Sequence, residues 1–417
     1  MEFDKVLSDI LEVKKPWFIR EIDVHKGTKS VNVFIDYEER TTFKCPNCEQ
    51  ECKVHDSRYR VWRHLNIVDY RCYLNVKVPR IKCARHKVLV IGEIPWGRLN
   101  IHFTHLFEQE VMKLCGEMSV SAVATHLGEV DTTLWSIFHY QIEQAKKKQL
   151  DFSEVRRICV DETASKRGHN YVTIFSDADS GDVLYATQGR TQESFAGLYS
   201  QLFEHMGDPN YITQFIMDMS KSYKAGWAQY FSHTQIIFDR FHIKKGLNEA
   251  IDKVRKSEVS HVEKLKRTRY LWLKNQCDLN EVETRMLKEF MEDCNYNTVK
   301  AYSLKAGFDQ LWNVQPKAVE PLLEVWINKA KNTYLTPVRT FINTIKNNYN
   351  GIVSSMKTGL TNAAAEGINS IIQLTKSRAR GFRNVNNFIS MIYMLGNNFK
   401  FRHSTKINRR TKWETYF

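Results

Sequence analysis

No run of about 18 or more apolar residues occurs anywhere in the 417-residue chain, which excludes a membrane-spanning helix on length grounds. The opening MEFDKVLSDI is acidic and lacks the basic-then-apolar order of a signal peptide. Internal repeats and low-complexity tracts are absent too. Cysteine is present but not as a disulfide framework: nine is an odd number, and most stand singly, so a reducing compartment is expected, the cytoplasm by this reading. The most telling absence is local. Residues 367–413 contain no Asp or Glu, against ten cations: Lys376, Arg378, Arg380, Arg383, Lys400, Arg402, Lys406, Arg409, Arg410 and Lys412. Most of the formal charge of +14 lies there, and it points to a polyanionic partner.

With 42% of its positions hydrophobic, the chain can bury several cores, and two to four domains are expected. A short amphipathic helix (3–13) leads into strand-like text at 17–22 and 31–36. Cys45-Pro-Asn-Cys48 follows, and further on Cys83-Ala-Arg-His86. Two such pairs, each on a tight turn, supply the four ligands of a tetrahedral zinc site, filled by protein and therefore structural. Strand-like runs at 59–62 and 70–78 could bring the pairs together. Cys52 and His55 are rival ligands, and Cys72 reads as an ordinary buried thiol. Residues 1–98 thus form a zinc-binding module.

Residues 99–150 are helical by period, with helix-turn-helix form at 118–128 and 131–138. Val120, Val123 and Leu127 face inward, Ala124 permits close approach and Gly128 makes the turn. Asp131 or Thr132 can cap the second helix, whose Thr133 and Ser136 are expected to be exposed and to meet DNA. A plain helical hairpin is the bland alternative.

Residues 151–240 alternate. Strands are expected at 157–162, 170–176 and 182–188, then a helix (191–206), a strand (212–217), a helix (221–230) and a strand (235–238). That order suits a ribonuclease-H-like core, a mixed sheet flanked by helices. Asp161 falls where the first strand is expected to stop, and Asp218 directly follows the fourth. Glu162 should face away from Asp161. Residues 241–350 read as a helical insertion whose tryptophans pack its core. In 351–417, Glu366 lies on an Ala-rich helix with Ile368, Ile371, Ile372 and Leu374 as its expected buried face. Three acids can hold two Mg²⁺ (or Mn²⁺) ions for phosphodiester chemistry.

The motifs Val160-Asp161-Glu162, Met217-Asp218-Met219 with Tyr223, Phe238-Asp239-Arg-Phe-His242, and Asn362 to Asn369 with Lys376 and 381–384 together resemble the transposases of the ISL-three group of bacterial insertion sequences. The likeness covers nearly the whole chain. It departs at His86, where a cysteine is expected, and at Arg380, which replaces an aromatic. The resemblance implies a DDE catalytic domain with Asp161, Asp218 and Glu366 as metal ligands. It also implies cleavage at the terminal repeats of an element and joining of the freed 3′-hydroxyls to double-stranded target DNA. Lys376, Arg378, Arg380 and Arg383 are then expected DNA contacts, and a homodimer is expected on paired ends. Asp239 and His242 recur in the motif. Helix capping and a place in the site are equally open for Asp239. Two rival readings remain: a zinc/helix-turn-helix regulator without catalysis, and a nuclease or resolvase that cuts without joining.

Overall fold

The computed structural model describes residues 2–92, 94–166, 171–292 and 296–401. Arg402, Lys406, Arg409, Arg410 and Lys412 lie outside the described residues, as does Asn170, the first residue of the second expected strand. Met1–Lys148 and Gln149–Asn398 belong to two different compact units. No described helix is long and apolar enough to cross a membrane.

The first unit begins with α1 (Glu2–Ile10) and a six-stranded sheet. Its strands are β1 (Trp17–His25), β2 (Ser30–Tyr37), β3 (Thr42–Lys44), β4 (Glu51–Ile67), β5 (Tyr70–Cys83) and β6 (Lys87–Val90). They run in the order β1-β2-β5-β4-β3, with β6 added to β5. Period-two alternation decides which face is buried: Cys72, Leu74, Val76 and Val78 on β5 pack with Val33 and Ile35 on β2 and Trp62 on β4.

Three helices follow: α2 (His105–Glu117), α3 (Val120–Leu127) and α4 (Asp131–Gln149). The Ser119 hydroxyl accepts from the Ala122 N–H to start α3. Gly128 ends it at φ +69°, where a Cβ would also meet the Arg71 guanidinium at 2.6 Å. Val120, Val123, Ala124 and Leu127 are buried, as their spacing predicts. Buried Arg63 of β4 ties the sheet to this turn. It donates to the Leu127 carbonyl at 3.3 Å and to Glu129 at 3.0 Å, so the helical hairpin is held at a fixed place on the sheet.

The second unit holds a five-stranded sheet built from β7 (Arg157–Ala164), β8 (Tyr171–Asp177) and β9 (Val183–Gln188), then α5 (Glu193–Glu204), β10 (Gln214–Met217), α6 (Lys221–Tyr230) and β11 (Gln235–Phe238). The order is β11-β10-β7-β8-β9, antiparallel through β7, β8 and β9 and parallel through β7, β10 and β11. One expectation needs correcting. β7 does not stop at Asp161 but runs on to Ala164, because β8 continues to pair with it after the β10 ladder has ended at Cys159.

Long α7 (Arg240–Val259) opens a helical region with α8 (Arg269–Leu273), α9 (Glu281–Glu292), α10 (Asn297–Asp309), α11 (Val319–Lys331), α12 (Thr336–Asn347) and α13 (Tyr349–Thr358). Its core gathers Trp272, Phe290, Tyr302, Phe308, Trp326 and Phe341, and it is continuous with Phe238 at the end of β11. The tryptophans are core residues, as expected. The chain closes on the sheet with α14 (Ala363–Arg378) and α15 (Val385–Gly396).

Trp272 is fully buried, and its indole N–H donates to Thr268 at 3.0 Å. Trp272→Ala should lower the local stability of α8 to α10 by about 3–5 kcal/mol, read as faster hydrogen exchange of their amides.

Candidate active site and metal centre

Cys45, Cys48, Cys83 and His86 bring one ligand atom each to within 4.8 Å of one another. Cys48 Sγ and Cys83 Sγ are 3.7 Å apart, and His86 Nδ1 lies 3.6 Å from both Cys45 Sγ and Cys83 Sγ. A tetrahedral Zn²⁺ with ordinary bond lengths sets edges of about 3.8 Å between sulfurs and about 3.6 Å between sulfur and nitrogen. The donor set fits that ion. The backbone N–H groups of Arg85 and His86 point at Cys83 and hold its thiol down to about 6, which favours the thiolate a metal needs. Cys52 stands outside the cluster and donates to the Gln50 carbonyl at 3.4 Å. His55 is not in the cluster either. Cys72 is wholly buried, and burial pushes its thiol up to about 11.

The second centre follows from strand register. Cys159 of β7 pairs with Ile216 of β10, and Met217 with Phe238 of β11. Cys159, Ile216 and Ile237 form a small cluster under Ala365 of α14. Two residues further along each strand path come Asp161, Asp218 and Asp239. The Asp239 N–H still donates to the Met217 carbonyl at 3.0 Å, so the row holds to its edge. Three carboxylates therefore come level at one end of the parallel strands.

Each acid has different company. Asp161 accepts from the Glu162 N–H at 2.7 Å and from Asn369 Nδ2 at 2.6 Å; burial raises its carboxyl, and these hydrogen bonds oppose the rise. Asp218 accepts from the Ser220 N–H at 2.8 Å and from the Arg190 guanidinium. Asp239 is 3% exposed. It caps α7 by accepting from the His242 N–H and also bonds His242 Nδ1 at 2.9 Å. That bond, with the charge of Asp239 and then of Asp218 and Asp161, raises the His242 pKa against the opposing effect of burial. Capping of α7 is thus the observed role of Asp239, and its position in the row leaves it beside the other two acids.

Helix α14 lies along β7 through a polar stripe. Asn369 meets Asp161, Gln373 donates to Thr163 at 2.6 Å, and Lys376 donates to the Ala164 carbonyl at 2.5 Å. Glu366 is one turn before Asn369 on the same stripe, and it is exposed. Asp161, Asp218 and Glu366 do not converge within 4.8 Å; among the described residues only the Cys/His group does. The expected buried face of α14 is also corrected. Ala365 and Ile372 are buried, whereas Ile371 and Leu374 are 43% and 49% exposed, because the helix approaches β7 with polar residues that bond its edge.

Sequence reasoning missed three residues here: Arg190, Glu162 as its partner, and Asn369. Arg190 bonds Asp218, and its Nε lies 3.0 Å from Glu162 Oε2 without hydrogen-bond alignment. Glu162 was legible only as facing away from Asp161, and nothing in the text around Arg190 marked it as a partner for two acids far apart in sequence. The donors nevertheless suit a hard divalent cation: all are oxygens, the acids outnumber the facing cations, and Asn369 Oδ1 is buried beside Asp161 without a partner.

Of the expected DNA contacts, Ser136 is exposed on α4, but Thr133 is half-buried, since its position turns toward the face of Leu134 and Ile137. Arg378, Arg380 and Arg383 are exposed, while Lys376 is turned onto β7.

Residues 158–392 match the ISL3 family of DDE domains described as transposase. Residues 93–142 match the helix-turn-helix domain of transposase family ISL3. Residues 41–86 match the zinc-finger of transposase IS204/IS1001/IS1096/IS1165. The chain is 26% identical over 358 residues to the transposase for insertion sequence element IS1001 of Bordetella parapertussis, covering 84% of this chain and 87% of that protein. It is 24% identical over 380 residues to the transposase for insertion sequence element IS1557 of Mycobacterium tuberculosis, covering 84% of each. A simian T-cell lymphotropic virus intasome structure with a PP2A regulatory subunit aligns at 15% identity over 47% of this chain and 64% of that one. Its TM-score of 0.16 carries no argument.

Two outcomes are expected. Metal analysis of the purified protein should give one zinc per chain, and Cys83→Ser should lose it and lower the melting temperature of the first unit. For His242 the folded pKa is raised above the ordinary value of about 6.5, so its pairing stabilises the fold fully below that value and is lost as pH rises through the folded pKa. Asp239→Asn should therefore flatten the decline of melting temperature from neutral to mildly alkaline pH.

Proposed function

The chain belongs to the transposase family ISL3, and from that premise we propose that it binds the terminal repeats of an insertion sequence, frees 3′-hydroxyls there and joins them to target DNA. The observation that carries this reading is the register row: Asp161, Asp218 and Asp239 come level where the parallel pairing of three adjacent strands gives out. A sheet whose first strand is central, with antiparallel strands on one side and parallel strands on the other, supports the ribonuclease-H-like reading of the second unit.

Asp161 and Asp218 would hold Mg²⁺ or Mn²⁺ from the strand ends, and Glu366 would complete the set from α14. Two such ions, when bound, activate an attacking oxygen and stabilise the leaving one in phosphoryl transfer. Asn369 fixes one oxygen of Asp161, and the Ser220 N–H fixes one of Asp218, so each carboxylate keeps a set direction with further lone pairs free. Gln373 and Lys376, about two and three turns after Glu366, pin α14 to β7. Glu366 itself is exposed.

The remaining roles follow from surface and charge. Cys45, Cys48, Cys83 and His86 bind a structural Zn²⁺ that holds the sheet, and with it the helix-turn-helix, in shape. Exposed Ser136 faces the terminal repeat, and Arg378, Arg380 and Arg383 contact phosphates. Pairing two element ends calls for a homodimer, and the protein works in the cytoplasm.

The test is an in vitro reaction of the full-length protein with element-end DNA, target DNA and Mg²⁺, beside Asp161→Asn and Glu366→Gln. Joined products are expected with the wild type and should fall to background in both variants. Cleavage without joining would support a nuclease, and binding without either would support a regulator. Undiminished joining in Asp161→Asn would overturn the assignment of the acids.

A further inference from the structure

Among the described residues, Arg190 is the one guanidinium that bonds a carboxylate of the row. It reaches Asp218 directly, lies 3.0 Å from Glu162, and rests 5.2 Å from the centroid of the Tyr223 ring. Its backbone is anchored, since the Gly189 N–H donates to the Tyr171 carbonyl at 2.8 Å and the Gly189 carbonyl accepts from Thr173 at 2.7 Å. Gly189 itself sits at φ +98°, a conformation that favours glycine. The guanidinium is held less completely. Its side chain is 32% exposed, and its Nε and Glu162 Oε2 are buried without a hydrogen bond despite their closeness. A side chain on a fixed backbone with one loose partner can swing away without disturbing the sheet.

Charge gives the reason for such an arrangement. Asp161, Glu162, Asp218 and Asp239 crowd one edge, and like charges so placed repel one another. Arg190 relieves that repulsion between Asp218 and Glu162. A divalent cation would do the same with twice the charge, and both would need the same oxygens of Asp218.

We propose that Arg190 is an internal counter-ion that holds Asp218 in the metal-free protein and competes with a divalent cation for it, so that cation loading requires the guanidinium to leave. This rests on the reading of Asp218 as a metal ligand. The protein then keeps its acid edge neutralised and ordered before the cofactor arrives, and metal binding becomes an exchange of one cation for another.

Mn²⁺ binding to the full-length protein, followed by the electron paramagnetic resonance signal of the free ion, tests it together with the thermal shift on adding Mn²⁺. Arg190→Gln should lower the melting temperature without metal, yet bind Mn²⁺ about tenfold more tightly, the equivalent of about 1.4 kcal/mol. Its thermal gain from Mn²⁺ should exceed that of the wild type. A merely structural arginine would weaken both. Should Arg190→Gln fail to fold, Arg190→Lys decides, because a point charge cannot reach both acids and should also tighten Mn²⁺ binding. Unchanged or weaker binding in the folded variant, with Asp218→Asn binding poorly, overturns the counter-ion and leaves the ligand assignment standing. Wild-type Mn²⁺ binding by Asp218→Asn overturns the ligand assignment itself.

Discussion

The second unit depends on one constraint, the parallel register of β7, β10 and β11. Backbone pairing fixes Cys159 opposite Ile216 and Met217 opposite Phe238, and the next residues along must then be level. That those residues are Asp161, Asp218 and Asp239 turns a ladder of hydrogen bonds into a concentration of negative charge. An edge of this kind is stable only if each carboxylate is answered. The answers differ in kind: backbone N–H groups at Asp161 and Asp218, an amide from Asn369, a guanidinium from Arg190, and a helix cap with an imidazole at Asp239. None of these contacts fills the whole capacity of a carboxylate, which can accept about four hydrogen bonds. The edge is neutralised enough to fold and open enough to bind.

A related economy governs the first unit. Its sheet has one well-packed face, and its two cysteine-bearing turns lie at the same end because β4 and β5 pair along most of their length. Lys44 opposite Glu51 closes one turn and Cys83 opposite Lys87 closes the other. Short strands such as β3 and β6 cannot bury enough apolar surface to hold such turns by packing alone. A shared tetrahedral ion, as proposed for the Cys/His cluster, would solve this by tying the turns through four side chains. Arg63 ties β4 to the turn between α3 and α4 through Leu127 and Glu129.

Much of this was legible in the text, and the limits have physical causes. Strand and helix positions in the second unit follow from β-branched and aromatic runs broken by turn residues, and β11 and α6 fall where the pattern puts them. The Cys/His cluster was legible because the spacing within each of its two pairs is local. Asp161 and Asp218 stood out because each ends an apolar run. What could not be read is whatever depends on which strand lies next to which. The level position of Asp239 needs the β10–β11 pairing, and Arg190, just after β9, meets Glu162 and Asp218 only once the sheet has assembled. The buried face of α14 was misread for the same reason: apolar content suggested Ile371 and Leu374, but the edge of β7 offers polar groups, and the helix meets it with Asn369, Gln373 and Lys376.

The long helical region between β11 and α14 separates Glu366 from the aspartates in sequence, yet packing returns the chain to the same sheet. Helix α13 lies on β11 so closely that a Cβ on Gly351 would meet the Phe238 ring at 2.5 Å, and the core of the helical region runs without a break into that strand. The chain therefore leaves the sheet at β11 and returns to the same strand. From there Ala365 packs on Cys159, Ile216 and Ile237, directly beneath the acid row, and the next residue is Glu366. Small residues at the start of α14 permit this approach, and larger ones would lift the helix off the strands. Sequence distance is thus cancelled by two contacts, Gly351 on Phe238 and Ala365 on Cys159, each needing a residue with little or no side chain.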